Sequence, residues 1–242
     1  MATLSELMAF LEARLALPPS ASGNEVPLLW RPANTDRDRP LRRIGLALEF
    51  SRGGKTEAAD CDALFLHRPF QFPPDALPGI PVLASHAGFD AHLTTGYNPA
   101  LATALGLQNI APLFRGDRPG EVVPIGMIGT VDPPQTLKAW TEKVTQEFRG
   151  LDVSVLQDTG ASVRRAVVMN ALNPAMVVLA SEQGATVYLT GQMRENARPA
   201  ADLQGMSLLA AGHERIERWG LRRLAAETAM AFPELNVHLL QA

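Results

Sequence analysis

IGLALEF (44–50), DALFLH (62–67) and IPVLASH (80–86) are three short apolar runs separated by more polar stretches. Their hydrophobic residues are consecutive, not alternating, which suits strands of a sheet covered on both faces. The theme continues downstream in VVPIGMIGTV (122–131), SVRRAVVMNA (162–171), ATVYLTGQM (185–193), MSLLAAGH (206–213) and NVHLLQ (236–241). Between and around these runs, LSELMAFLEARLAL (4–17), NPALATALGL (98–107), PPQTLKAWTEKVTQEF (133–148), NPAMVVLASEQG (173–184) and IERWGLRRLAAETAMAF (216–232) carry the three-and-four apolar spacing of helices. Strand and helix alternate, so the sequence predicts an α/β fold of mixed or parallel sheets flanked by helices. Residues 18–43 contain Pro18, Pro19, Pro27, Pro32 and Pro40 and read as an irregular surface segment with a short strand near Val26–Trp30. The chain is expected to be a single unit, with lobes formed by 1–125 plus 185–242 and by 126–184, two α/β halves meeting near 120–160.

Composition narrows the class. A chain of 242 residues with 46% hydrophobic and 19% charged residues can bury a substantial core. No stretch approaches the roughly 18 consecutive apolar residues that a membrane span needs. The first twenty residues place acidic groups in an amphipathic pattern where a secretory leader has a basic and then an apolar region, so a cytoplasmic protein is expected. Net charge is −3, and the basic residues form no stripe, so nucleic acid is not the expected partner. The single Cys61 cannot form an internal disulfide and reads as a small core residue.

The candidate chemistry sits where strands end. His67, His86 and His213 each follow an apolar run, the edge at which open α/β sheets place their ligand crevices. Asp90 follows His86 by four residues, and Glu217 follows His213 by four, a spacing that puts both side chains on one helical face. Imidazole nitrogen with carboxylate oxygen is a donor set for zinc, manganese, nickel or iron. Competing structural readings stay open at each position: a histidine that only ends a strand, an Asp90 that caps a helix, a solvated His–Glu helix face. His92 and His238 read as structural or surface residues. GMIG (126–129) lacks the spacing of a phosphate loop, and neither G-x-S-x-G nor C-x-x-C occurs.

Two blocks of sequence resemble a known family. DALFLHRPF…IPVLASHAGFDAHLTTGYNPALATALGL (62–107) and VYLTGQMRENA…LLAAGHERIERWGLRRLA (187–225) are similar to the Nif-three-like, dinuclear-metal-centre hexameric proteins, often labelled GTP cyclohydrolase type-two homologues. The resemblance covers most of 44–240 and is weak over 1–43. It implies one or two divalent ions in the cleft between two similar α/β halves, held by His67, Asp90, His213 and Glu217. It also implies a homohexamer. His86 opens the H-x-x-x-D motif and is expected beside the ligands as a catalytic group, with Glu214 as another proton-transfer candidate. Arg68 stands where the family has a second histidine. Its guanidinium stays protonated and cannot ligate, so it is expected to replace part of a second ion's charge or to clamp a substrate anion. Gln192 replaces an acidic residue after the TG turn, and MNALN (169–173) stands where a Gly-rich turn is expected. The implied activity is metal-dependent hydrolysis of a small substrate. The alternative is a non-catalytic metal-binding scaffold, with GTP cyclohydrolysis resting on the family label alone.

Overall fold

The computed structural model describes residues 2–17, 25–26, 28–31, 35–50, 55–73, 75–114, 124–158, 160–170 and 172–240. Along them run α1 (Leu4–Leu15), β1 (Leu29–Arg31), β2 (Arg43–Glu49), α2 (Lys55–Ala59), β3 (Ala63–Arg68), β4 (Val82–Ala84), α3 (Ala87–Leu93), α4 (Pro99–Ala104), β5 (Leu107–Phe114), β6 (Pro124–Thr136), α5 (Leu137–Phe148), β7 (Val153–Val155), β8 (Ser162–Met169), α6 (Pro174–Glu182), β9 (Val187–Thr190), α7 (Arg198–Leu203), β10 (Ser207–Ala210), α8 (His213–Ala231) and β11 (Asn236–Leu239). The chain divides into two compact units, Met1–Asp90 with Gly220–Ala242, and Ala91–Trp219. No helix among the described residues is long and apolar enough to cross a membrane.

The first unit is built on a five-stranded sheet in the order β1-β4-β3-β2-β11. β11, β2, β3 and β4 pair in parallel, and β1 closes one edge antiparallel to β4. The consecutive apolar residues have the expected consequence: Ile44, Leu46, Ala47 and Leu48 on β2 and Ala63 to Leu66 on β3 are all buried. Each fully buried Leu or Phe here contributes about 1.5–3 kcal/mol. α1 opens with a capping box, in which Thr3 accepts from the Glu6 backbone N–H and the Glu6 carboxylate accepts from the Thr3 backbone N–H. α1 is joined to the C-terminal part of α8 by Arg14, which donates to Glu227 at 2.6 Å, and to the residue just after α8 by an edge-to-face contact of Phe10 on Phe232. Cys61 is buried in this unit, and burial pushes its thiol pKa up, as suits an unreactive core residue.

The second unit carries a six-stranded sheet, β5-β6-β8-β9-β10-β7. β5, β6 and β8 are antiparallel neighbours, β8, β9 and β10 are parallel, and β7 is antiparallel to β10. Its central strands alternate between two cores with the period of two that a pleated strand imposes. Ala166, Val168, Leu189 and Leu209 join Trp140, Val144 and Phe148 of α5 on one face. Val167, Met169, Tyr188 and Leu208 join Met176, Val177 and Ala180 of α6 on the other.

Mixed sheets flanked by helices are thus present in both units, while the boundaries differ from the lobes expected in sequence. β5, β9 and β10 all belong to the second sheet, so 91–125 and 185–219 group with 126–184. The helix expected from Pro133 begins only at Leu137. Pro133 and Pro134 lie within β6 beside an irregularity in register between Thr130 and Gln135, where a missing N–H is tolerated, and Thr136 caps the helix by accepting from the Ala139 N–H. The strand expected near Val26–Trp30 forms at Leu29–Arg31, while Pro27 lies outside the described residues.

Two outcomes follow. Burial alone would raise the Glu227 pKa, but hydrogen bonds from Arg14 and Arg223 outweigh it and hold the carboxyl below its ordinary 4.5. A depressed folded-state pKa stabilises the protein above the unfolded value, and that contribution is lost as pH falls through the folded one. Glu227→Gln should cost about 1–3 kcal/mol at pH 7, and urea titrations at successively lower pH should show the wild-type advantage fading below about 4.5. Gly88, near the start of α3, has no room for a side chain, since a Cβ would overlap the Leu15 carbonyl oxygen and stand 2.8 Å from Ser85 Oγ. Gly88→Ala should destabilise by about 1–3 kcal/mol in the same assay, as overpacking does.

Candidate metal centre

His67 lies one residue before the end of β3, and its side chain is fully buried. His86 follows β4 by two residues, and Asp90 sits within the first turn of α3; both are half-buried. Donor atoms of the three lie within 4.8 Å of one another, a grouping that could hold a metal ion. The parallel register pairs Leu64 with Val82, Phe65 with Leu83 and Leu66 with Ala84, so His67 and Ser85 come next in step. His67 Nδ1 accordingly lies 3.2 Å from the Ser85 carbonyl oxygen. A carbonyl only accepts, so Nδ1 carries the proton and donates it there, which turns Nε2 towards Asp90 Oδ1 at 3.4 Å. The His67 ring is stacked on His86, with centroids 4.9 Å apart and planes within 3°, and packs against Phe89 at 4.4 Å.

These separations fit a shared cation. Two ligand atoms about 2.1 Å from one ion stand roughly 3.0 Å apart at a right angle and roughly 3.4 Å apart at the tetrahedral angle. The 3.4 Å between His67 Nε2 and Asp90 Oδ1 falls in that range. In the second unit, so does the 3.1 Å between His213 Nε2 and Glu217 Oε1 in the first turns of α8. Glu217 is 1% exposed, whereas the His213 side chain is 68% exposed. At the start of α8, Arg215 pairs with Asp152 and Arg218 with Glu214, and the four line a cavity of about 440 Å³ with Gly212.

The structure therefore groups His67, His86 and Asp90 in one unit and His213 with Glu217 in the other. His86, expected beside the ligands, stands within the donor cluster. Arg68 Nε is 3.6 Å from Oε2 of Glu49, its register partner on β2. Glu214 is engaged on the helix surface, accepting from Arg218 Nε at 2.8 Å. His92 meets Tyr97 edge-on, and His238 keeps its Nε2 buried with no hydrogen-bond partner. The MNALN segment is described except for Ala171, and there Asn170 Oδ1 accepts from Thr94 and Thr95.

One contributor went unread in the sequence. Glu25 lies in the proline-rich segment and accepts from the backbone N–H of Val26 and of His86, each at 2.8 Å, from the Gly88 N–H, and from Ser85 Oγ at 3.2 Å. Burial would raise its pKa, but these four donors outweigh it and hold the carboxyl below the ordinary value. No local pattern marks it, because three of its four partners are about sixty residues away along the chain.

Comparison with known proteins agrees with the fold. The chain is 28% identical over 139 residues to the GTP cyclohydrolase 1 type 2 homolog of Haemophilus influenzae, covering 57% of this chain and 53% of that protein. It is 30% identical over 145 residues to the protein of the same name from Pseudomonas aeruginosa, covering 60% and 55%. The match thus spans about half the length of these curated relatives. Among solved structures, a Bacillus cereus protein related to NIF3 superposes with a TM-score of 0.70 at 17% identity, over 100% of this chain and 97% of that one. Reduced HcgD from Methanocaldococcus jannaschii gives 0.70 at 20% identity, over 100% and 98%. These likenesses establish the shared fold. The model of the family described as Duf34/NIF3 (NGG1p interacting factor 3) matches residues 2–242, and the chain belongs to that family.

Proposed function

We propose that the protein is a divalent-cation-dependent hydrolase of a small substrate. His67 and Asp90 hold a cation with His86 beside them, and His213 and Glu217 form a further donor pair. The observation that carries this reading is the placement of the His67 ring. Its Nδ1 lies against the Ser85 carbonyl, so Nε2 is directed at the space shared with Asp90. A backbone carbonyl that accepts from the other ring nitrogen fixes the ligating tautomer in metal-bound histidines. Neutral imidazoles with a carboxylate suit zinc, manganese, nickel or iron, as one or two ions.

A divalent cation, when bound, polarises a carbonyl or phosphoryl oxygen and lowers the pKa of water from 15.7 towards about 7. The chain's own residues supply the rest. Phe89 packs on the His67 ring and limits its movement. Arg68, resting against Glu49, carries a charge that pH does not remove and receives a substrate phosphate or carboxylate. His86 completes the donor cluster or moves a proton for the substrate, and the two roles separate on substitution.

The non-catalytic alternative, a metal-binding scaffold used for storage, delivery or protein interaction, is favoured by one observation. The residue after His67 is an arginine held by a carboxylate, so this position adds no ligand. GTP cyclohydrolysis comes only from the names of relatives. A homohexamer is part of the same proposal.

Protein purified without chelator should contain one or two divalent ions per chain by elemental analysis. His67→Ala, Asp90→Ala and Glu217→Ala should each weaken binding by at least the roughly 10–100-fold that losing an outer partner of a ligand costs. Full metal content in Glu217→Ala would remove α8 from the donor set. A screen of phosphoesters, cyclic amides and nucleotides, GTP included, should find metal-dependent turnover, and its absence favours the scaffold. His86→Ala that keeps its metal and loses turnover would assign His86 to proton transfer. Light scattering should give about six times the 26.1 kDa chain mass; a monomer would exclude the hexamer.

A further inference from the structure

Glu25 holds together the parts of the candidate centre that sequence presents as separate. Its carboxylate accepts from Ser85 Oγ, whose own residue receives the His67 Nδ1–H on its carbonyl. It also accepts from the His86 and Gly88 backbone N–H groups, at the point where β4 gives way to α3 and its Asp90. The Asp90 N–H in turn donates to the His86 carbonyl at 3.0 Å. Every donor in the cluster is therefore one or two bonded steps from this carboxylate.

The surroundings make those bonds strong. Leu11, Leu15, Val26 and Leu28 wall the cavity that Glu25 shares with Ser85, so the carboxylate is partly withdrawn from water, where charge-assisted hydrogen bonds gain strength. Gly88 is small enough to let its N–H reach the carboxylate while the Leu15 carbonyl crosses behind it. A glutamine could present only one good acceptor oxygen to these donors, and its NH₂ group would face N–H groups.

We infer that Glu25 is a positioning residue that sets the geometry of the cation site, fixing His67 through Ser85 and fixing His86 and Asp90 through the turn into α3. This rests on the reading of His67, His86 and Asp90 as a cation site. The role is distinct from simple attraction between a nearby carboxylate and a cation. Attraction changes affinity alone, whereas positioning also changes the angles between ligands.

Cobalt(II) titration of the full-length protein, followed by its visible absorption bands and by competition with a chelating dye, separates these effects. Glu25→Gln should bind cobalt about 10–100-fold more weakly, the cost of losing an outer-shell partner, and its bands should shift in position or intensity. Glu25→Asp, which keeps the charge and the acceptor pair, should restore most of both. Glu25→Gln with wild-type affinity and bands overturns the inference and leaves the cation site standing. Weaker binding with unchanged bands also overturns it, in favour of long-range charge. Failure of the wild-type chain to take up cobalt sinks the cation site and this inference together. Should Glu25→Gln not fold, Ser85→Ala removes one of the four donors, and a smaller band shift is expected there; unchanged bands would overturn the inference.

Discussion

The parallel pairing of β3 with β4 is the constraint on which the candidate centre rests. Three register pairs, Leu64 with Val82, Phe65 with Leu83 and Leu66 with Ala84, lock the two strands in step through buried side chains. A slip of one residue would exchange the side chains that β3 turns to its two covered faces and unseat both. Held in this register, the next pair in line is His67 and Ser85, and the imidazole meets the serine carbonyl with no long side chain to order. The hydrophobic effect fixes the strands, the strands set His67 Nδ1 against the Ser85 carbonyl, and that contact fixes which nitrogen faces Asp90.

How much of this was legible in the sequence depended on range. β2, β3 and β4 were readable because buried parallel strands leave consecutive apolar residues, and α4 and α6 because Asn98-Pro99 and Asn173-Pro174 announce a cap followed by a first helical residue. β5 was not, since its residues are mostly partly or fully exposed, with only Leu107 and Leu113 buried, so it carries little apolar signal. β7 is three residues long with two of them exposed, and it forms because β10 offers an edge.

The site divided along the same line. His67 and His86 could be singled out because each sits at or just after the carboxyl end of a strand that the sequence marks clearly, and Asp90 because it follows His86 by four residues. The resemblance to relatives set His86 beside the ligands, and in the folded chain its ring is stacked on His67 within the group that could hold an ion. Glu25 was invisible because capping at long range depends on the fold, and a single glutamate among prolines and serines has no periodicity to betray it. Local pattern reveals the groups that would touch the ion, and only the folded chain reveals what aims them.

The two donor pairs share a construction that bears on how a cation could be exchanged. In the first unit the imidazole of His67 is fully buried and the carboxylate of Asp90 is 30% exposed. In the second the carboxylate of Glu217 is buried and the imidazole of His213 is 68% exposed. Each pair thus joins one side chain already immobilised by packing to one that still reaches solvent. The immobilised member has lost its rotamer entropy on folding, so ligation costs it little more. Burying the Glu217 carboxylate, by contrast, carries a desolvation cost of several kcal/mol that only a positive or hydrogen-bonding neighbour can offset. In the proposed centre the more exposed member is the one that can exchange an ion with water without opening the core. A site of two fully buried residues would hold its ion more firmly and load it slowly, and one of two exposed residues would load readily and hold little. The mixed pairing suits a centre that must be both ordered and reachable.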